Sequence, residues 1–427
     1  MAEKILSDKS DEDARAGDIV VCDADLVIGT DASAPMAIAY FEKMGGTRVR
    51  HPDRVVFALD HYDPTTSPGT AKYHDLVRRF AAAHGVRLYE RGEGISHQLA
   101  VERGEVRPGQ LVLGADSHTV TCGALNLFAT GIGSSDLAAA MITGQIWLRV
   151  PETIRITLTG RRSPSATAKD VALAIVSRLG AEGANYQAVE ISGSGVAAFA
   201  LDERLLLSNL LVESGAKAAM FAADAEVETH LAAHGITSYT TVSADDDAVY
   251  SREVDVDLAT LSPIVALPHS PAHATPIDSA AGTPIHMVFL GTCTGGRVRD
   301  YHDAVAVIER GGGKLAPGVQ LVVTPASREI EQRLMADGTM AKLASMGAVI
   351  TAPGCGACCG TSGVIPGDGF NVLSTANRNF KARMGNATAS IYLASAAACA
   401  AAAVTGVITD PADIAAEADH GMDHREQ

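Results

Sequence analysis

Ile285-His-Met-Val-Phe-Leu-Gly-Thr-Cys-Thr-Gly-Gly-Arg297 decides how the chain is read: an apolar run that ends on a glycine and then on a loop carrying Cys293. Such a run, bounded at once by small residues, describes a buried strand and the turn at its carboxyl end. The same form returns at Ala348-Val-Ile-Thr-Ala352, which leads into Pro353-Gly-Cys-Gly-Ala-Cys-Cys-Gly360. A Cys-x-x-Cys turn with glycines beside both thiols can aim Cys355 and Cys358 at one metal, and Cys293 adds a third thiolate from another loop. Three ligands suit a metal with one open position. Thiolates hold zinc or iron-sulfur clusters, and a redox pair shares the spacing. Cys359 competes with Cys358 for the ligand role, and the spacing favours Cys358.

Strands that end on ionisable residues recur along the chain. Val55–Leu59 ends on Asp60-His61, Gln110–Gly114 runs into Ala115-Asp-Ser-His-Thr119, and Leu373–Ala376 leads into Asn377-Arg378. Open α/β sheets place their chemistry at such ends. Helices are predicted over Met36–Met44 behind Ser33 and Pro35, over Lys72–His84, from Ser134 to about Leu148, and over Ala168–Leu179. A further helix over Leu201–Gly215 puts Asn209 and Glu213 on one face. Pro263–Pro284, rich in proline, alanine and serine, reads as a loop or linker, with domains expected at 1–284 and 285–427. Ala387–Ile408 is long enough to span a membrane but is mostly alanine, serine and threonine, and reads as a buried helix. A last polar helix is expected from Asp410.

With 427 residues, the chain exceeds the usual size of a single core. Its net charge of -16 disfavours nucleic acid, whose binding rests on clustered lysine and arginine. The 7 cysteines are scattered and odd in number, unlike a secreted disulfide framework. The opening Met1-Ala-Glu-Lys-Ile-Leu lacks the pattern of a signal peptide, so a cytoplasmic protein is expected.

In this order and company the motifs resemble the aconitase family, most closely its isopropylmalate dehydratase and homoaconitase branch. The matching stretches are Gly114–Thr119, Gly131-Ile-Gly133, His286–Arg297, Pro353–Cys358 and Ser374–Phe380 with Arg383. The resemblance implies aconitase-type three-layer α/β/α lobes with an iron-sulfur cluster between them. It implies a [4Fe-4S] cluster on Cys293, Cys355 and Cys358, whose fourth iron binds a hydroxy acid substrate. It implies Asp60 and His61 as the proton-donating pair, Asp116 and His118 at the departing oxygen, and His97 paired with Glu213. Ser117, Arg378 and Arg383 would bind substrate carboxylates, Asn209 would pack by the cluster sulfurs, and Thr30 would lie on the substrate side.

The swivelling domain of single-chain aconitases has no counterpart in this sequence, so a small swivelling-domain subunit is expected as partner, in a heterodimer or heterotetramer. The expected activity is that of a hydro-lyase large subunit, interconverting 2- and 3-isopropylmalate by dehydration and rehydration. Homocitrate or another substituted malate, such as 2,3-dimethylmalate, is the alternative substrate. A cluster-free sensor or RNA-binding protein is the alternative of another class. Departures from the branch pattern lie beside the expected catalytic set: Thr30 stands where histidine is usual, Tyr62 where asparagine is, Gly295 where asparagine is, and Cys359 where leucine is common.

Overall fold

The computed structural model describes residues 1–414, and these divide into two compact units. The first comprises Met1–Arg91, Ser96–Arg162 and Leu179–Ala259, and the second Gly92–Ile95, Ser163–Arg178 and the chain from Thr260 on.

The main sheet of the first unit is five-stranded and parallel, in the spatial order Arg87–Tyr89, Val55–Ala58, Leu26–Thr30, Leu111–Gly114, Phe128–Gly131. The strand that comes first in sequence is the middle one. The chain builds outward on one side and then on the other, and such a reversal opens a crevice at the carboxyl ends of the two strands where it occurs. These are Leu26–Thr30 and Leu111–Gly114. Both are buried at every position, the mark of parallel strands covered on both faces. Phe41 and Phe80 meet edge to face at 5.3 Å on one side of this sheet and belong to its core with Phe57 and Leu113. A second parallel sheet in this unit runs Ala218–Phe221, Ala188–Ser192, Thr153–Thr159, Arg252–Asp257.

In the second unit a seven-stranded sheet runs Ala274–Pro276, Ile264–Ala266, Ser390–Leu393, Asn371–Ser374, Met287–Gly291, Gln320–Thr324, Val349–Ile350. Its five strands from Ser390–Leu393 to Val349–Ile350 are parallel and again have the first in sequence at the centre. The order reverses between Met287–Gly291 and Asn371–Ser374. Helix Ala396–Thr405 packs on helix Val298–Arg310 and on the central strand, which alanine allows because it brings no bulk between them.

Local signals account for the departures from the sequence expectations. The helix from Ser134 stops at Thr143 because Gly144 takes the left-handed conformation at φ 79°. Gln145–Arg149 then pairs antiparallel with Ile19–Asp23. Ala387–Ile408 is a strand and a helix, not one helix, with Ser395 capping the helix start. The helix from Leu201 ends at Leu210, and Glu213 sits in the following 3-10 turn Leu211–Ser214. Pro263–Pro284 is no linker, since it supplies two antiparallel strands to the seven-stranded sheet. The C-terminal helix expected from Asp410 falls mostly outside the described residues. Among those described, no helix is long and apolar enough to cross a membrane.

The 3-10 segment Ser117–Leu125 lies so close to strand Ala218–Phe221 that a Cβ at Gly123 would meet the Ala219 carbonyl oxygen. Gly123→Ala should therefore cost about 1–3 kcal/mol through overpacking. A melting midpoint equal to wild type would refute that close approach.

Candidate active site

In the first unit the reversal of strand order gathers three loops. Asp31, just after Thr30 at the end of its strand, Asp60-His61 and Asp116-Ser117-His118 each follow the carboxyl end of a strand of the five-stranded sheet. Asp60 is 1 % exposed. Its carboxylate accepts the Ser96 N–H at 2.9 Å and stands 2.8 Å from His61 Nδ1. Burial pushes the Asp60 carboxyl above its ordinary range, and His61 opposes the rise.

The far nitrogen of the same ring, His61 Nε2, is 3.3 Å from Asp116 Oδ2. Asp116 caps the following 3-10 segment by accepting the His118 N–H at 2.7 Å. Burial works to raise the Asp116 carboxyl too, but the bonds from His118 and His61 outweigh it and hold it well below the usual aspartate range. His118 Nε2 in turn lies 2.9 Å from Glu213 Oε1. The result is an alternating row, Asp60, His61, Asp116, His118, Glu213, in which each imidazole stands between carboxylates. Such a row holds ring orientation and tautomer fixed and can hand a proton from an imidazole to a bound group.

The other expected residues of this unit stand around that row. His97, 2 % exposed, lies in helix Ser96–Glu102, whose first N–H is the one bonded to Asp60. Asn209 donates to Thr121 Oγ1 at 2.7 Å, and Thr121 donates to the His118 carbonyl at 2.6 Å, so Asn209 braces the turn that carries His118. Ser117 Oγ is 3.4 Å from His118 Nδ1. Thr30 is 1 % exposed, and its hydroxyl is 3.1 Å from that of Ser33. Ser33 occupies the cap position of helix Ala34–Lys43 without bonding its N–H groups; it accepts from the Thr30 N–H instead.

Two residues without a role in the sequence reading belong to this machinery. Asp31 is fully buried and accepts the backbone N–H groups of His61 at 2.9 Å and Tyr62 at 3.0 Å. His74, from helix Pro68–His84, closes the same carboxylate at 2.8 Å. Asp31 therefore fixes the backbone of His61 while Asp60 fixes its ring. Its only signal in sequence is its place, since it follows a strand just as Asp60 does.

In the second unit the cysteines stand on loops after strands Met287–Gly291 and Val349–Ile350. Cys293 and Cys358 are each 4 % exposed. Asn377, on the loop after Asn371–Ser374, joins them: its Nδ2 donates to Cys293 Sγ at 3.4 Å, and the Cys358 thiol reaches its Oδ1 at 3.5 Å. Arg383 Nη2 donates to Cys358 Sγ at 3.5 Å, and the neighbouring thiols, Cys358 first, hold the guanidinium above its ordinary range. Cys359 has different company, with its Sγ 2.8 Å from Thr361 Oγ1. Arg378 is half-buried beside Asn377.

Thr292, the residue before Cys293, has φ 71°, a costly conformation for a β-branched side chain and one that clusters at functional sites. Gly295 is required by its neighbour, because a Cβ there would collide with the Thr375 side chain. Soft thiol donors brought together on one amide, with an arginine against them, fit an iron-sulfur centre, whose sulfurs accept hydrogen bonds and whose net charge is negative.

A family model described as the aconitase family (aconitate hydratase) matches residues 3–406. The chain is 42% identical over 412 residues to the 3-isopropylmalate dehydratase large subunit 1 of Methanopyrus kandleri, covering 96% of this chain and 98% of that one. It is 41% identical over 414 residues to the 3-isopropylmalate dehydratase large subunit 1 of Thermotoga maritima, covering 96% and 98%. Among solved structures, the holo-form of Thermococcus kodakaraensis aconitase X matches with a TM-score of 0.54 and 12% identity over 88% of each chain, a likeness of fold.

Asp31→Ala strands the buried His74 and the backbone N–H groups of His61 and Tyr62, so a loss of about 3–5 kcal/mol is expected by denaturant titration. His74→Gln, which still donates to Asp31, should lose less. Equal losses would refute the hydrogen-bonded role. Asp116, depressed in the folded state, stabilises above the ordinary aspartate pKa and ceases to do so as pH falls through its folded value. The stability gap between wild type and Asp116→Asn should therefore narrow on acidification below about pH 4, and a constant gap would count against the bonds from His118 and His61.

Proposed function

The chain belongs to the aconitase family, and we propose that it is the large, catalytic subunit of a hydro-lyase that isomerises 2-isopropylmalate to 3-isopropylmalate. Water is lost to give an alkene diacid and is then added back with the hydroxyl on the neighbouring carbon. Identity above 40% over nearly the whole length of isopropylmalate dehydratase large subunits supports this substrate. The row from Asp60 to Glu213 carries the chemistry.

Hydroxide is a poor leaving group at neutral pH. A [4Fe-4S] cluster on Cys293, Cys355 and Cys358 would supply Lewis acidity at the substrate hydroxyl. His61 acts as proton donor through Nε2, the nitrogen not held by Asp60, and protonates the departing oxygen. Asp116, kept ionised at neutral pH, and His118, braced by Glu213, orient that oxygen. Arg378 and Arg383 bind substrate carboxylate through the planar fork of the guanidinium. The relatives' designation as large subunits supports a separate small subunit, which on this reading brings the base that removes the carbon-bound proton.

The test is anaerobic purification, reconstitution with iron and sulfide, mixing with a candidate small subunit, and alkene absorbance with isopropylmalate, homocitrate, citrate and dimethylmalate. Isopropylmalate should turn over fastest, and preference for another acid would overturn the substrate assignment. His61→Ala should keep the cluster spectrum and lower kcat by about 10²–10⁴, whereas Cys355→Ser should lose both. Wild-type activity in Cys355→Ser would sink the cluster.

A further inference from the structure

Helix Ala168–Leu179 of the second unit carries Lys169 in its first turn, and this side chain is 3 % exposed. Its Nζ donates to the Ala376 carbonyl at 2.7 Å, the Thr375 carbonyl at 2.8 Å and the Thr294 hydroxyl at 3.3 Å. All of these acceptors are neutral. Among the described residues no carboxylate forms an ion pair with Lys169.

Neither helix stability nor pairing accounts for a cation in this place. A positive charge in the first turn opposes the helix dipole, and taking an ammonium out of water is costly without a counter-charge. Burial pulls Lys169 down to about 8, while the Cys399 and Cys293 thiols, Asp300 and the Cys358 thiol favour its charged form, and the buried Asp170 carboxylate beside it feels its charge without bonding to it.

The acceptors identify what the charge serves. Thr294 follows Cys293 on the loop after Met287–Gly291, and Thr375 and Ala376 precede Asn377 on the loop after Asn371–Ser374. These are the neighbouring strands between which the sheet order reverses, where the two loops would otherwise part. The Thr294 hydroxyl also donates to the Thr375 carbonyl at 2.8 Å, closing a small ring of bonds with the ammonium. The ring fixes Cys293 against Asn377, the amide that also meets Cys358.

We propose that Lys169 is a positioning residue of the thiol ligand set: it clips the Cys293 loop to the Asn377 loop and supplies the buried positive charge that balances an anionic centre held by Cys293 and Cys358. The assignment rests on the proposed cluster. A fixed cation in a medium of low dielectric favours the more negative redox state, so Lys169 raises the cluster's reduction potential and slows the loss of iron that follows oxidation.

The full chain, reconstituted anaerobically with iron and sulfide, is compared as wild type, Lys169→Gln, Lys169→Met and Lys169→Arg, with melting temperatures recorded alongside. Glutamine keeps donors for the carbonyls but removes the charge, and arginine keeps the charge. In the Gln and Met variants the midpoint potential should move to more negative values, and iron release to a chelator should quicken by roughly 10-fold or more. The Arg variant should stay nearer to wild type on both measures. A Gln variant with wild-type potential and wild-type iron release overturns the proposal even if it melts lower, because only packing has then been lost. A wild-type chain that takes up neither iron nor sulfide is a different result: it overturns the cluster reading, and this assignment with it.

Discussion

A parallel sheet covered on both faces has no free surface except at its edges and at the ends of its strands. Leu26–Thr30, Val55–Ala58, Leu111–Gly114 and Met287–Gly291 are buried along their whole length. Polar side chains cannot be accommodated on them without losing their bonds to water. The chemistry is displaced to the residues that follow each strand, and the reversal of strand order decides which of these loops become neighbours. Both units have the same order in their parallel strands, with the first strand central, and in both the two strands at the reversal lead into residues of interest: Asp31 and Asp116 in the first unit, Cys293 and Asn377 in the second.

Charges gathered in such places must be satisfied locally, and the molecule does so in two ways. The first unit interleaves carboxylates with imidazoles, so that Asp60 and Asp116 start from similar burial and end on opposite sides of the usual aspartate range. The difference is the charge around each: Asp116 stands between the two imidazoles of His61 and His118, while Asp60, bonded to His61 and to the Ser96 N–H, feels the nearby Asp31 charge. Two carboxylates with separated proton affinities are what acid-base work requires. The second unit does the reverse, holding Lys169 and Arg383 near thiols, an arrangement that suits sulfur in its anionic form.

Legibility in the sequence followed the range of each interaction. Cys355 and Cys358 are close in sequence, and Asp60-His61 and Asp116-Ser117-His118 are contiguous, so these could be found as motifs. Asp31 and His74 are separated by a strand, a helix and a loop, and nothing in either neighbourhood marks them as a pair. Lys169 looks like any first-turn lysine of an amphipathic helix until its acceptors are known. The end of the helix at Thr143 was open to reading, because Gly144 followed by the alternating Gln-Ile-Trp-Leu-Arg is a stop signal and a strand; the alanine-rich segment before Ile408 hid its break because Ser390–Leu393 is as apolar as the helix after it.

The amino-acid sequence by itself determined the fold class and the family, and it put the candidate groups and the three candidate thiols on loops after strands. These rest on local patterns: burial periodicity, glycine at turns, and short fixed spacings. Only the tertiary structure decided which carboxylate serves which imidazole, that Asp31 holds the backbone of His61, that Asn377 joins two thiols, and that Lys169 closes the gap at the strand reversal. Each of these is a hydrogen bond between residues distant in the chain, and its geometry exists only once the parallel sheets have set the loops side by side.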